Sequence, residues 1–364
     1  MIRFIYGESG YGKTYTVTEM LRADAEKGIH SFFIVPEQQA VGSERMLLSA
    51  LPPSAQLNLE VLNFSRLYNR VCREYGGLEY NYITTPAKHL LMNRTLTELS
   101  PLLEHYGAEA AQDPSLSEFM LSSIGEFKAN GVTSAQLEAA GEKLDKESKL
   151  YSKLRDLSLI YAAYSSAISQ SFSDSADDIS KLVELLKKHN FFRGCNVYID
   201  SFTSFTAAEH AAIERIFAQA QNVTVTIPLP RDRYESIYTA SISASERRLI
   251  KSAEDHGGYT PMILSENKRA RFESLAYLAK NLWSLDQTVP KELDDGAVSL
   301  EVCANPYAEA EAAARWTLEL MRGGMRCRDI VVIMRDAEKY RGVIEPAFER
   351  NNIPFFFILL TPPN

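Results

Sequence analysis

An α/β architecture with a parallel, doubly wound sheet follows from three features of this 364-residue chain. A short apolar run, a glycine-rich octapeptide and a helical stretch stand in succession at the N-terminus. Apolar strands alternate with helices on both sides of a long helix-only region. A second, shorter alternation closes the sequence. Strand–helix alternation of this kind implies parallel strands with helices covering both faces.

The elements follow in order. Ile2 to Tyr6 is apolar and reads as a buried strand, and Thr14 to Ala25 places Val17, Met20 and Leu21 on one helical face. Ser31 to Val35 is a second strand, ended by Pro36, and Leu57 to Phe64 a third, followed by a helix from Ser65 to Tyr75. From Pro86 to about His189 helical periodicity dominates and charges take the surface positions, which marks a helical insertion with Tyr151 to Ile168 at its centre. Strands return at Asn196 to Asp200 and Val223 to Ile227, with a helix from Ala207 to Gln219 between them. A polar linker, Ser284 to Gly296, precedes a second series: strand Ala297 to Cys303, helix Ala308 to Met321, strand Ile330 to Met334, helix Tyr340 to Asn351, and a last apolar run from Ile353 to Phe357. That series stops on an uncovered strand and reads as cut inside its last domain. The expected domains are therefore 1–85 with 190–285, the insertion 86–189, and a partial second α/β domain at 297–364.

Bulk properties narrow the function. The composition is 45% hydrophobic and 24% charged, ordinary for a globular protein. A net charge of −8 argues against a small basic nucleic-acid module, although it leaves room for a local basic groove or a basic partner. Cys72, Cys195, Cys303 and Cys327 are widely separated and no signal peptide is evident, which points to buried thiols in a cytoplasmic protein. The six histidines show no metal-ligand spacing. The apolar run Phe355 to Leu360 is too short to span a bilayer, so no membrane partner is expected.

The chemistry concentrates in Gly7-Glu8-Ser9-Gly10-Tyr11-Gly12-Lys13-Thr14. This octapeptide fits G-x-x-x-x-G-K-[ST], whose backbone N–H groups cradle nucleotide phosphates at a helix N-terminus. Lys13 would reach the β- and γ-phosphates and the Thr14 hydroxyl would hold Mg²⁺. Chance produces such a match in roughly one chain in a hundred at ordinary residue frequencies, and the flanking strand and helix lower that further. Mg²⁺ needs a second acid at the end of a neighbouring strand. Asp200 stands in that position, with helix capping as its structural alternative. Ser201 follows it, where DNA-translocating ATPases place the glutamate that orients the attacking water. Glu209 could substitute only if its helix tilts inward. The site thus looks built to bind ATP and poorly equipped to hydrolyse it.

Several segments make the resemblance more specific. Phe33-Ile34-Val35-Pro36-Glu37-Gln38, Glu60 to Leu67, Tyr198 to Thr206 and Arg328 to Asp336 are similar, in the same order, to the AddB subunits of bacterial AddAB helicase–nucleases. The resemblance covers nearly the whole chain and implies a superfamily 1 helicase-like, RecA-like nucleotide-binding domain with the start of a second one. It places motif I at Gly7 to Thr14, motif II at Asp200 and the motif IV arginine at Arg335, which an ordinary strand-end salt bridge would equally explain. It implies an AddA-like motor as heterodimer partner and single-stranded and duplex-end DNA as substrates in double-strand break repair. It further implies scanning for a recombination hotspot rather than translocation. Gln38, Gln39, Phe64, Arg66 and Phe205 would line the DNA groove, the aromatics stacking on bases or else packing into the core. The family's nuclease domain carries an iron–sulfur cluster held by four cysteines, and the four here lack that spacing, so the cluster would belong to a further C-terminal part. No adenine-recognition segment precedes the glycine loop, which leaves ATP over GTP unargued. An active superfamily 1 motor using Glu209, and a small-molecule kinase with the helical insertion as its lid, are the rival readings.

Overall fold

The computed structural model describes residues 1–78, 81–107, 113–229, 239–282, 293 and 295–357. Two compact units divide the chain, residues 1–270 and 271–364. The linker expected at 284–296 lies almost wholly outside the described residues, as does the end of the chain beyond Phe357.

The first unit is organised by six parallel strands: β1 Ile2–Tyr6, β2 Ser31–Ile34, β3 Leu59–Leu62, β4 Asn196–Ile199, β5 Asn222–Ile227 and β6 Tyr259–Ile263. Their order across the sheet is β3-β2-β4-β5-β1-β6. Strand alternation sorts the side chains onto two buried faces. Phe4, Phe32, Ile34, Val197, Ile199, Val223 and Val225 fill one core. Ile5, Phe33, Val35 and Tyr198 fill the other, beneath α1 Lys13–Glu26 and α2 Glu37–Ala50. Sequence reading misses β6 because Pro261 stands in its middle. A proline is tolerated there because β6 is an edge strand pairing with β1 alone. It also misses α2, whose apolar stripe is thin, with only Ala40 and Leu47 buried.

After the short α3 Pro53–Gln56, α4 Phe64–Tyr75 begins under the side-chain cap of Asn63, which accepts the Arg66 N–H at 2.7 Å. The helical insertion contains α5 Thr85–Leu99, α6 Pro114–Ala129, α7 Ser134–Gly141 and α8 Lys149–Ser169. It has its own core, including Met92, Leu96, Met120, Ile160 and Tyr164. The following helix, α9 Asp178–Lys188, continues the helical periodicity but sends Leu182, Val183 and Leu186 into the core of the sheet. Sequence period alone does not say which core a stripe will join. The first unit is completed by α10 Ala207–Gln219 and α11 Ala240–Glu254.

A buried ion-pair network pins the end of the insertion. Lys128, 6% exposed in its side chain, donates to Asp174 at 2.8 Å and Asp177 at 2.9 Å, while Lys88 donates to Asp174 at 2.6 Å. Burial alone would raise the Asp174 pKa. The hydrogen bonds and charges of Lys128 and Lys88 outweigh it and hold that pKa down at about 2.

The second unit contains α12 Glu273–Asn281, α13 Pro306–Arg322 and α14 Ala337–Arg350. The last two pack through Ala310, Ala314, Ile344, Ala347 and Phe348. The three strands expected at 297–303, 330–334 and 353–357 join no ladder among the described residues. A parallel strand has no hydrogen bonds of its own and needs a neighbour about 4.8 Å away. Here the segments 330–336 and 353–357 instead border a groove of 1190 Å³ lined by Ile330, Ile333, Phe355 and Phe356. Their apolar sequence is a sound strand signal without a partner to pair with.

Asp174 links stability to pH with a definite sign. Its folded-state pKa lies below its unfolded value, so its contribution is complete above about pH 5 and drains away as pH falls from about 4 to 2. Lys128→Met should cost about 3 kcal/mol in urea unfolding at pH 7 and flatten the acid limb of the pH–stability curve.

Candidate phosphate-binding site

Parallel strands open their C-terminal ends toward one edge of a sheet, and ligands of such sheets bind outside that edge. The loop 7–14 leaves β1 at this edge. Its first residue is held by both neighbouring elements, because Gly7 N–H donates to Leu229 O at 3.0 Å and the Leu264 N–H donates to Tyr6 O at 2.9 Å. Gly10 and Gly12 have φ of 89° and 86°, the left-handed region that glycine enters without Cβ strain. Gly12 is the N-cap of α1 and offers no side chain to satisfy its first turn. Among the described residues, the backbone N–H groups of Lys13, Thr14 and Tyr15 meet no acceptor. Together they form an outward-facing row of donors at the positive end of the α1 dipole.

Lys13 curls over this loop. Its Nζ donates to Gly7 O at 2.7 Å and Glu8 O at 2.9 Å. Burial lowers its pKa; the nearby carboxylate of Asp200 opposes that shift and the positive charge of Arg269 adds to it.

Asp200 stands at the end of β4, 2% exposed. Thr14 Oγ1 donates to its Oδ2 at 2.7 Å, and Thr226 Oγ1 donates to its Oδ1 at 2.5 Å. The glycine loop and the acid lie 186 residues apart in sequence and one hydrogen bond apart in space. Helix capping, the structural alternative for Asp200, falls instead to Thr206, whose side chain caps α10. Ser201 follows with φ 68°, a left-handed conformation in a non-glycine residue, and its N–H reaches Thr226 Oγ1 at 3.4 Å. Sequence reading passes over Thr226, although two threonines in a buried strand of sequence Asn-Val-Thr-Val-Thr-Ile are a signal that one side chain serves a polar purpose.

Glu209 is drawn away from this centre. Its carboxylate accepts the Thr206 N–H at 2.8 Å and the Thr206 hydroxyl at 3.1 Å, closing a capping box at the start of α10. Burial raises its pKa against those two hydrogen bonds. Ser9 and Tyr11 complete the loop between the glycines. Arg335 belongs to the second unit, among the residues lining its apolar groove.

The residues expected at a DNA surface divide by exposure. Gln38 and Gln39 are exposed in the first turn of α2, and Arg66 is exposed on α4 with its guanidinium 3.9 Å from Glu44. Phe64 is 4% exposed and joins the sheet core, edge-on to Phe202 at 5.7 Å, so it presents no face for a base. As the first residue of an amphipathic helix laid on the sheet, it points inward. Phe205 is half-buried, stacked on Phe202 at 4.7 Å and edge-on to His210 at 5.4 Å.

Among the described residues there is no cluster of three or more His, Cys, Asp or Glu side chains arranged for a metal. No helix there is long and apolar enough to cross a membrane. A divalent cation fits one place: Thr14 Oγ1 and Asp200 Oδ2 are already within contact of each other beside Lys13, and both are hard oxygen ligands suited to Mg²⁺.

Known proteins share this sequence. The chain is 32% identical to the B-type subunit of the ATP-dependent helicase/deoxyribonuclease of Caldanaerobacter subterraneus subsp. tengcongensis over 371 residues, covering 98% of this chain and 32% of the relative. It is 30% identical to the protein of that name from Acetivibrio thermocellus and 28% identical to that from Geobacillus thermodenitrificans, with the same shares of 98% and 32%. The chain therefore spans about a third of the length of the curated relatives it matches. Residues 4–279, which include the whole loop, Asp200 and nearly all of the six-stranded sheet, match the family described as "ADDB, N-terminal", and the chain belongs to that family.

Proposed function

We propose that this chain is the ATP- and DNA-binding N-terminal part of an AddB-type helicase/deoxyribonuclease component that acts in double-strand break repair. The first unit serves as a RecA-like P-loop domain and the second as the start of another. The observation that carries this reading is the 2.7 Å contact between Thr14 and Asp200, with Lys13 beside it. A triphosphate would take the free N–H groups of Lys13, Thr14 and Tyr15, and Lys13 would exchange two loop carbonyls for phosphate oxygens. Mg²⁺ would neutralise phosphate charge while held by Thr14 and, directly or through water, by Asp200. Thr226 would keep Asp200 oriented toward it.

Nucleotide hydrolysis needs a group that orients and deprotonates water. Ser201 at neutral pH cannot accept a proton, and Glu209 is occupied by Thr206. Binding without turnover therefore fits this geometry better than an active motor. The relatives' name supplies the rest of the proposal: as one component of a larger enzyme, the chain would pair with an AddA-like motor and follow single-stranded DNA from a duplex end in the cytoplasm. In this role it would scan for a recombination hotspot. Gln38, Gln39, Arg66 and Phe205 would contact the strand, and Arg335 would approach the γ-phosphate. The iron–sulfur cluster would belong to the parts of the parent protein beyond this chain.

Calorimetric titration with Mg–ATP tests the nucleotide site. Lys13→Ala should weaken binding by more than about tenfold, and Asp200→Asn should abolish the dependence on Mg²⁺. Turnover with single-stranded DNA should stay at background, whereas DNA-stimulated turnover at tens per second would favour the motor. Glu209→Ala should leave turnover unchanged and cost about 1 kcal/mol of stability. Arg66→Ala should weaken binding of labelled single-stranded DNA in fluorescence anisotropy, and unchanged affinity would remove Arg66 from the interface.

A further inference from the structure

The residues that follow β6 form a strap against the glycine loop. The Lys268 N–H donates to Gly10 O at 2.9 Å, which ties the strap to the loop by its backbone. Asn267 Oδ1 accepts the N–H groups of Arg269 and Ala270, each at 3.0 Å, and holds the strap in a tight turn. The approach is close enough to require glycine in the loop. A methyl group on Gly10 would lie 2.8 Å from Asn267 Oδ1 and 3.1 Å from Arg269 Cβ, while one on Gly12 would lie 3.5 Å from Lys268 Cδ.

The strap brings charge with it. Lys268 and Arg269 are exposed, and neither forms an ion pair among the described residues. Lys13 lies near enough to Arg269 for their positive charges to repel. Two unpaired cations packed on a loop that already holds a lysine and a helix N-terminus are unfavourable until an anion joins them. A phosphate chain in the cradle would meet cations from two sides, from α1 below and from the strap above.

We infer that the strap 264–270 is the second wall of the nucleotide site and that Lys268 and Arg269 are its own cationic contacts to the terminal phosphate of a nucleoside triphosphate. This inference rests on the nucleotide reading above and adds to it a means of telling a triphosphate from a diphosphate within the first unit. Arg269 follows the Asn267 turn and leans over Gly10. Lys268 lies over Gly12, the entry to α1. Asn267 is a positioning residue, since it acts through the turn that presents the two cations.

The test compares Mg–ATP with Mg–ADP binding by the full chain at several salt concentrations. Replacing both cations (Lys268→Ala with Arg269→Ala) should weaken Mg–ATP about tenfold and Mg–ADP by less than about threefold. It should also flatten the salt dependence of ATP affinity, because screened charges have been removed. Lys268→Arg should retain binding, and because both side chains are exposed the thermal midpoint should not change. Unaltered or tighter ATP binding by the double variant, with Lys13→Ala still defective, would overturn the inference and leave the nucleotide site standing. Equal losses for ATP and ADP with a lowered midpoint would overturn it too, reducing the strap to a structural brace. A wild-type chain that binds neither nucleotide would remove both readings together.

Discussion

The hydrogen bond from Thr14 to Asp200 is the contact on which the first unit's chemistry turns. It joins the first turn of α1 to the end of β4 across β5, the strand that lies between β1 and β4. Two crossovers and the whole helical insertion separate the partners in sequence. They meet because β1, β4 and β5 run parallel and end at the same edge. Pairing of Tyr6 with Ile227 and of Ile199 with Val225 fixes how far each strand projects. A slip of one residue in β4 would turn Asp200 to the other face of the sheet.

The base of the sheet is secured by a second acid. Asp24, near the end of α1 and 8% exposed, accepts hydrogen bonds from Ser31, Asn196 and Tyr198 at 3.1, 2.7 and 2.6 Å. Three neutral donors satisfy one buried carboxylate without a cationic partner among the described residues. Burial and the Asp24 carboxylate together raise the Tyr198 pKa. α1 is thus held at both ends, by Thr14 on β4 at the phosphate edge and by Asp24 on β2 and β4 at the opposite edge. That leaves its N-terminal N–H groups aimed outward from a helix that cannot easily shift.

How far the site is legible in sequence depends on locality. The octapeptide Gly7 to Thr14 carries its own conformational requirements, so its left-handed glycines and free N–H groups can be anticipated. Asp200 is readable because an acid after an apolar strand has a defined projection. Phe64 passes for a DNA contact because an aromatic at a strand end looks the same whether it enters solvent or the core, and the amphipathic α4 buries it. Glu209 offers a carboxylate at a suitable spacing, while the Thr206 that occupies it is a local cap with the T-x-x-E pattern visible in the chain. Thr226 and the 264–270 strap escape sequence reading because each acts on a residue remote in the chain.

Sequence by itself therefore determined the alternation of elements in the first unit, the phosphate loop and the identity of its candidate metal-binding oxygens, all of which are set by short-range periodicity and backbone permissiveness. Tertiary structure alone decided that α9 packs on the sheet, that β6 closes its edge despite Pro261, and that Thr14, Asp200 and Thr226 converge. It also decided that apolar segments of the second unit, sound strands by composition, form no ladder among the described residues. Hydrogen-bonded pairing and convergence are properties of neighbours, and a one-dimensional pattern names the residues without saying who those neighbours are.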